Sequence, residues 1–308
     1  SFIDCYGLKS VVLPSGLKSI KFSAFENCVN LSSIELPENA NNLDWGIFNG
    51  CKNLVSVKLP KTLKYLPGYT FLNCLKLENI QLPDSLQKIN ISDFKCCNSL
   101  KKIFIPAAVK TIDDGAFGVG DYIFEVDSAN KYFTAQNGVL YNKNKSILKR
   151  CTESFTGEFI IPSSVREIEN HAFYGCKKLT KVQFHSNIEK IGYSAFFQCT
   201  ELDSVQIPDK IDSLNNSIFY ECENLRIINL PNNLKYIGDD AFINCRNLKT
   251  VNLPANLKYI GEHAFEMSGL DSIYIPSQTI AIDFFAFHGS LCSFKVDKNN
   301  PAFSSLNG

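Results

Sequence analysis

The twelve cysteines of this 308-residue chain are the side chains with the widest range of chemistry. A thiol can form a disulfide, ligate a metal ion or act as a nucleophile. Nine of the twelve recur at one position, three residues after a phenylalanine, in an F-x-x-C segment. This constant spacing indicates a position in a repeated element. The nine are Cys5, Cys28, Cys51, Cys74, Cys97, Cys176, Cys199, Cys222 and Cys245.

We interpret these nine cysteines as a buried column of small side chains, one from each repeat, because free cysteine is often buried. Disulfides and a metal site are the alternatives. Stacked repeats place neighbouring Cα atoms about 5 Å apart, but a parallel column keeps the Cβ atoms near that separation, beyond the ~3.5–4.5 Å of a disulfide. No C-x-x-C motif occurs, so a zinc knuckle is not indicated. Cys96, Cys151 and Cys292 lie outside the column and are the candidates for reactive thiols.

The four histidines, His171, His185, His263 and His288, form no catalytic motif with other residues. No cysteine or aspartate lies at a spacing that predicts a nucleophilic triad, and the carboxylates are scattered. The phosphate-binding G-x-x-x-x-G-K-[ST], the dinucleotide-binding G-x-G-x-x-G and the zinc-protease H-E-x-x-H motifs do not occur in the sequence. We therefore predict that the chain is not an enzyme and holds neither a cofactor nor a metal ion.

The cysteines belong to a unit of 23 residues that recurs along most of the chain. Its pattern is F-x-x-C-x-x-L-x-x-V-x-L-P-x-x-L-x-x-I-G-x-x-A, and a fixed period of about 20 to 50 residues is typical of a solenoid. One unit buries too little apolar surface to offset the entropy lost on ordering it, so neighbouring units must stack. The repeated phenylalanines are Phe2, Phe25, Phe48, Phe71, Phe94, Phe117, Phe173, Phe196, Phe219, Phe242, Phe265 and, one residue early, Phe287.

Each part of the unit predicts a local structure. The segment L-x-x-V-x-L-P, for example Leu248 to Pro254, alternates as a short strand with one buried face does, and proline ends it. A connection with inward Leu and Ile follows, and the glycine after the Ile, as at Gly238 and Gly261, suits a turn with positive φ. The A-F-x-x-C segment then closes the coil as a short irregular or 3₁₀ turn.

The repeat is interrupted between Phe117 and Phe173, which are 56 residues apart. Asn137-Gly138 is a turn signal between two strand-like runs, so we predict a β-hairpin or small meander that projects from the solenoid over about residues 123–159. The sequence from Phe294 to Gly308, FKVDKNNPAFSSLNG, aligns with FEVDSANKYFTAQNG and is therefore a second, truncated insertion. We predict one solenoid domain over residues 1–308, with repeats at 1–122 and 160–293.

The composition excludes several classes of partner. There are 31 Lys+Arg and 31 Asp+Glu, so the chain has no electrostatic footprint for nucleic acid or anionic membranes. No apolar run approaches the roughly 18 residues of a membrane span, so no membrane insertion is predicted. The first residues, SFIDCYGLKS, lack the features of a signal peptide and read as the middle of a repeat. We expect a fragment of a longer protein whose leader and anchor lie elsewhere.

The outward side of the predicted strands is the candidate binding surface. It is mostly small, neutral and hydrogen-bonding, with isolated aromatic residues that could anchor a protein or glycan partner. The alternative is that any solvated sheet face needs polar residues. A second candidate is the predicted hairpin, with Tyr132, Phe133 and Tyr141. The strand-face residues, one per repeat, are Glu35, Lys58, Gln81, Phe104, Gln183, Gln206, Asn229, Asn252 and Tyr274.

The repeat and the insertion together resemble a known family. The 23-residue pattern resembles the BspA-like class of leucine-rich repeats, and V-D-x-x-N followed by N-G-V-L-Y is similar to an insertion common in that class. The resemblance implies an α/β-type, β-rich leucine-rich-repeat solenoid, right-handed and curved, with a parallel sheet on its concave face and short irregular or 3₁₀ turns opposite. The cysteine in the F-x-x-C position departs from many relatives, which have asparagine or other residues there.

For function, the resemblance implies a cell-surface or secreted protein of a host-associated microbe. We expect a non-enzymatic binding or adhesion module that contacts host or neighbouring macromolecules, such as extracellular matrix proteins or glycans, through the concave face. The alternative is a structural spacer or scaffold that presents another domain. The family has no shared catalytic motif, so no catalytic residue is inferred.

Overall fold

The computed structural model describes residues 1–118, 120–290 and 292–305, and it contains two compact units, Ser1–Asn144 and Lys145–Gly308. We call them the first unit and the second unit. Each is a β-solenoid in which coils of about 23 residues stack on one another, as the period predicts. Residues 306–308 of the predicted truncated insertion lie outside the described residues.

Each coil contributes two short strand positions, so each unit has a second ladder besides the predicted one. In the first unit the strands are β1 (Ser19–Ile20), β2 (Ser33–Glu35), β3 (Asn42–Leu43), β4 (Ser56–Lys58), β5 (Asn79–Ile80), β6 (Lys88–Ile89), β7 (Lys102–Ile105), β8 (Thr111–Ile112), β9 (Ile123–Val126), β10 (Phe133–Gln136) and β11 (Val139–Asn142). The predicted L-x-x-V-x-L strands pair in parallel as β2-β4-β5 and β7-β9. The connection that follows the proline forms the second ladder, β1-β3 and β6-β8.

The second unit repeats this arrangement. Its strands are β12 (Ile147–Arg150), β13 (Gly157–Ile160), β14 (Glu167–Ile168), β15 (Leu179–Gln183), β16 (Lys190–Ile191), β17 (Ser204–Gln206), β18 (Ser213–Leu214), β19 (Ile227–Asn229), β20 (Tyr236–Ile237), β21 (Tyr259–Ile260), β22 (Ser272–Ile275), β23 (Ala281–Ile282) and β24 (Ser293–Val296). The first ladder is β13-β15-β17-β19 and β22-β24, and the second is β12-β14-β16 and β18-β20-β21-β23. The predicted strand at Leu248–Pro254 is extended chain without strand pairing.

The predicted 3₁₀ turns and the α/β description are not confirmed, because the described residues contain no helix and the A-F-x-x-C segment is a run of turns. Residues two before and two after the stacked phenylalanine have positive φ, as at Ser217 and Glu221, both 55°, around Phe219. A left-handed residue every fourth position interrupts a helical run. Alternate N–H groups instead donate to the next coil, for example Phe219 N–H to the Ala241 oxygen at 2.9 Å.

The repeated phenylalanines form one aromatic stack in each unit, and this prediction is confirmed. Neighbouring rings lie 5.0–5.9 Å apart, centroid to centroid, and are nearly parallel. Apart from Phe2 and Phe287 at the stack ends, the rings are buried. Edge-on rings of Phe124, Phe159 and Phe294 close the stacks. Burial of one such ring from every coil supplies the apolar core that a single unit lacks.

The glycine after the inward isoleucine has a different role from the predicted one. Gly238 and Gly261 are not among the residues with positive φ, so the turn prediction is wrong there. A Cβ on Gly238 would lie 2.9 Å from the backbone N of Asn216 and 2.5 Å from its Oδ1. The neighbouring coil therefore leaves no room for a side chain, and the glycine is required by close approach.

The insertion is only partly as predicted. The hairpin of β10 and β11 is present, and Asn137 and Gly138 form its turn with φ of 52° and 77°. However, β9 continues the ladder of β7, so residues 123–126 are the strand of a regular coil. Phe133 and Tyr141 are buried in the first unit, so the hairpin packs on its core and does not project as predicted.

The alignment of the two insertions is confirmed atom by atom in the described residues. Asn130 Nδ2 donates to the carbonyls of Pro106 and Val109, and Asn300 Nδ2 donates to those of Pro276 and Thr279. Each Oδ1 accepts the N–H groups two and three residues later. Residues after Phe294 thus start the same structure as those after Phe124.

Candidate functional site

All nine strand-face residues are exposed, which follows from the alternation of inward and outward side chains along each strand. The parallel register places equivalent residues of adjacent coils side by side, as for Glu35 opposite Lys58 and Gln206 opposite Asn229. Gln81 directly follows β5, and Asn252 lies on unpaired extended chain. Each unit therefore presents one row of these residues.

In the first unit two of the four row residues form an ion pair with each other. The Lys58 ammonium contacts the Glu35 carboxylate, and this hydrogen bond raises the pKa of Lys58. Phe104, which is 42% exposed, stands beside an ion pair in which Lys102 Nζ lies 2.6 Å from Glu125 Oε2.

Two surface grooves adjoin the row. One of about 300 Å³ is lined by Val57, Lys58, Leu59, Lys61, Gln81, Pro83 and Asp84, and one of about 480 Å³ by Val11, Val12, Leu13, Ser15, Glu35, Pro37, Glu38 and Asn39.

In the second unit the middle of the row consists of amides with free hydrogen-bonding capacity. At the ends, Gln183 donates to Glu158 at 2.5 Å and Tyr274 donates to Asp297 at 2.7 Å. In the middle, Asn229 and Asn252 have side chains without a hydrogen bond to any described residue. We call Gln206, Asn229 and Asn252 the amide row; Gln206 makes one long bond, 3.5 Å, to the oxygen of Ile207.

Charges beside the amide row are paired with one another. Glu158 and Lys181 lie 2.9 Å apart, and Asp203 contacts Arg226. The hydrogen bond from Arg226 lowers the pKa of Asp203, which stays ionised at neutral pH. Because each of these charges has a partner of opposite sign in an adjacent coil, they give this face little net field. The surface is suited to hydrogen bonding with a neutral partner rather than to electrostatic attraction.

The cysteine column is buried, apart from the exposed Cys5 in the first coil, and all of its thiols are free. The thiols are also hydrogen-bond donors: Cys222 Sγ lies 3.1 Å from the Phe196 oxygen in the preceding coil. Burial raises the pKa of Cys74 and Cys222, and that of Cys51 to about 12, so these thiols stay protonated. Of the three cysteines outside the column, Cys151 is buried, whereas Cys96 and Cys292 are partly exposed.

The histidines lie near carboxylates or backbone and form no metal site in the part of the chain that the structure describes. His263 Nδ1 and His288 Nδ1 lie 2.5 and 2.9 Å from the two oxygens of Glu266. The hydrogen bond from His288, and then that from His263, lowers the pKa of Glu266. His185 contacts the Pro162 oxygen at 3.0 Å. The contacts of His288 with Glu266 and of His185 with Pro162 join neighbouring coils, whereas His263 and Glu266 belong to one coil.

Sequence reasoning missed a group of exposed apolar residues in the first unit. Phe22 is 67% exposed, Trp45 49% and Tyr65 55%. The signal in the sequence was the single tryptophan, which stands in a position that holds Asn, Asp or Glu in five of the other ten coils. The second predicted surface, on the hairpin, retains only Tyr132 as an exposed aromatic residue.

Within the described residues, no helix is long and apolar enough to span a membrane. A family model for the BspA type leucine rich repeat region, in six copies, matches residues 1–124, 144–270 and 215–305. A comparison with curated protein sequences gives no match.

Several solved structures are similar to this chain. A leucine-rich repeat protein from Eubacterium ventriosum has a TM-score of 0.77 at 29% identity, covering 91% of this chain and 82% of that one. The pneumococcal vaccine antigen PcpA has a TM-score of 0.70 at 20% identity, covering 87% and 80%. A leucine rich cell surface protein from Faecalibacterium prausnitzii has a TM-score of 0.65 at 22% identity, covering 96% and 81%. At the identities of the last two, the likeness concerns the fold alone.

Proposed function

Because this chain belongs to the BspA-type leucine-rich repeat family, we propose that it is a non-enzymatic binding module of a cell-surface or secreted protein. Its partner is a protein or glycan, such as a component of the extracellular matrix. Support for the location comes from the names of two similar structures, a vaccine antigen and a cell surface protein. Repeat proteins of this kind bind through extended surfaces made by many coils.

The observation that carries this proposal is the amide row of the second unit. Three exposed amides stand side by side in successive coils, and Asn229 and Asn252 have no hydrogen bond to a described residue. An unpaired amide offers two donors and one acceptor, and a regular row of them matches the polar groups of an extended ligand. Ile227, which is 52% exposed beside the row, adds an apolar contact.

The test compares two double variants with equal added charge. N229R/N252R places two guanidinium groups in the amide row, and N232R/A255R places them on exposed residues after the proline of the same two coils. Binding to immobilised matrix proteins and to a glycan array is measured for both variants and the wild type. We expect N229R/N252R to lose binding to the matrix protein that the wild type captures at least tenfold, and N232R/A255R to keep it.

Two outcomes would contradict the proposal. Equal binding by both variants would exclude the amide row as the contact surface. If the wild type bound no protein or glycan of the panel, the result would favour the alternative role as a spacer that presents another domain.

A further inference from the structure

A second surface, in the first unit, presents an exposed indole ring beside a glycine that is buried between its neighbours. Trp45 and Ile91 occupy the same position in two coils, three residues before the stacked phenylalanine, and Gly68 occupies that position in the coil between them. Trp45 is 49% and Ile91 40% exposed. We call Trp45, Gly68 and Ile91, together with the neighbouring Tyr65 and Tyr69, the aromatic notch.

The geometry shows that Trp45 and Ile91 flank the glycine closely. A Cβ on Gly68 would lie 3.5 Å from Cζ3 of Trp45 and 3.4 Å from Cγ2 of Ile91. The Trp45 ring also contacts Tyr69, with 5.6 Å between the ring centroids. The indole is therefore held in place by neighbouring residues while half of its surface faces solvent. A rigid aromatic platform loses little conformational entropy when a ligand binds to it.

The notch residues lack a hydrogen bond that polar side chains at the same position make in other coils. In the second unit this position holds Tyr193, Glu262 and Phe284 in three coils and Asn170, Asn216 and Asp239 in the other three. Their Oδ1 atoms accept an N–H of the next coil at 3.0, 3.2 and 3.0 Å, respectively. Tryptophan, glycine and isoleucine cannot accept such a bond. The first unit therefore gives up these hydrogen bonds and exposes apolar area instead, which is typical of a binding surface.

The surroundings of the notch indicate the chemistry of its ligand. Two ion pairs flank it, Lys21–Asp44 at 3.7 Å and Lys88–Asp113 at 3.0 Å. Because each pair is neutral overall, a charged ligand gains little, yet each pair offers both hydrogen-bond donors and acceptors. The indole N–H of Trp45 adds a further donor, without a hydrogen bond to a described residue.

We propose that the aromatic notch binds a neutral pyranose ring of a glycan. The apolar C–H face of the sugar packs on the exposed face of the Trp45 indole, and its hydroxyls accept from the lysines and donate to the aspartates. A proline-rich peptide also packs on aromatic grooves, but proline has no N–H to donate to these carboxylates. The proposal concerns a different surface from the amide row and stands without it.

Trp45 is the single tryptophan, so its fluorescence reports on the notch directly. Neutral tetrasaccharides of glucose, galactose and N-acetylglucosamine, and a ten-residue polyproline peptide, are titrated against the full chain. We expect a saturable change in emission with at least one tetrasaccharide and none with the peptide. Saturation with the peptide alone, or no change with any tetrasaccharide, would overturn the proposal.

Variants then locate the site by glycan-array binding. Trp45→Ala should lower affinity for the identified sugar at least tenfold. Phe284→Ala, which removes an exposed aromatic residue from the same position in the second unit, should leave it unchanged. N229R/N252R should also retain it, so that failure of the notch and failure of the amide row are distinguished. Circular dichroism verifies that each variant is folded; undiminished binding by folded Trp45→Ala would refute the assignment.

Discussion

The Sγ of Cys51 lies 3.0 Å from the carbonyl oxygen of Phe25 in the preceding coil, and the same oxygen accepts the N–H of Cys28 at 3.1 Å. Both acceptor positions of this buried carbonyl therefore have a donor. The relationship recurs along both units, for example between Cys245 and Phe219 at 3.2 Å. The cysteine column thus ties each coil to the one before it, besides filling space as predicted.

Replacement of Cys51 tests whether the thiol acts as a donor. Cys51→Ala should lower the free energy of unfolding by about 1–3 kcal/mol, because it removes the donor and leaves a cavity. Cys51→Ser should cost less, since Ser290 occupies the equivalent position in the second unit and donates to the Phe265 oxygen at 2.8 Å. Urea denaturation measures both. A serine variant less stable than the alanine variant would show that the thiol acts only as apolar filling.

Thiol labelling should separate the cysteines by burial. With iodoacetamide at pH 8, Cys5 should react first, followed by the partly exposed Cys96 and Cys292. Column members such as Cys51, whose pKa burial raises to about 12, should react only after unfolding, because the thiolate is the reactive form. Mass spectrometry of tryptic peptides gives the order. Early labelling of Cys51 in the native protein would argue against a closed core.

Asp93 should make the first unit less stable as the pH rises. It replaces the small residue of the A-F pair, is fully buried, and accepts the N–H groups of Asn90 at 2.7 Å and Thr70 at 3.2 Å. Burial raises its pKa from 3.8 to about 8. The folded state holds the Asp93 proton more tightly than the unfolded state does, so the contribution of Asp93 to the free energy of unfolding is complete below about pH 4. This contribution is lost as the pH rises to about 8, by at most about 1.4 kcal/mol per pH unit.

Asp93→Asn should remove this pH dependence, because an amide has no proton to lose in that range. Denaturation followed by Trp45 fluorescence between pH 4 and 9 measures it, with Asp84→Asn, at an exposed position, as the control. An equal slope in the wild type and in Asp93→Asn would show that Asp93 is not the titrating group.

The aromatic stack should carry much of the stability of each unit. Phe219→Ala should cost about 3–5 kcal/mol, because a fully buried ring is lost from between two others. Phe284→Ala, at a residue that is 67% exposed, should change stability by less than about 0.5 kcal/mol. Thermal and urea unfolding compare the two. Similar effects at both positions would contradict the stacked core.

Gly238→Ala should destabilise the second unit by about 1–3 kcal/mol, because the added Cβ meets the backbone of Asn216 and the coils must separate. Gly16→Ala is the control, since its Cβ would have no heavy atom within 4 Å. Urea denaturation compares both variants. A neutral effect at Gly238 would mean that neighbouring coils can move apart freely.

Much of this architecture could be read from the period of the sequence. Apolar residues that recur every 23 positions can be buried together only if equivalent residues of successive coils stack, so the inward Phe219 and the outward Gln206 follow from the pattern. The turn at Asn137-Gly138 was also predictable, because its two residues tolerate positive φ locally. These features depend on residue types and spacing alone.

Other features depend on atoms of a neighbouring coil and were decided by the tertiary structure. The partner of the Cys51 thiol, the crowding at Gly238 and the free amides of Asn229 and Asn252 arise from distances between coils, which no spacing in the sequence specifies. The left-handed residues beside Phe219 likewise exist because their N–H groups donate to the next coil rather than within a helix. The aromatic notch forms for the same reason: stacking brings Trp45 and Ile91 from separate coils against Gly68 of the coil between them.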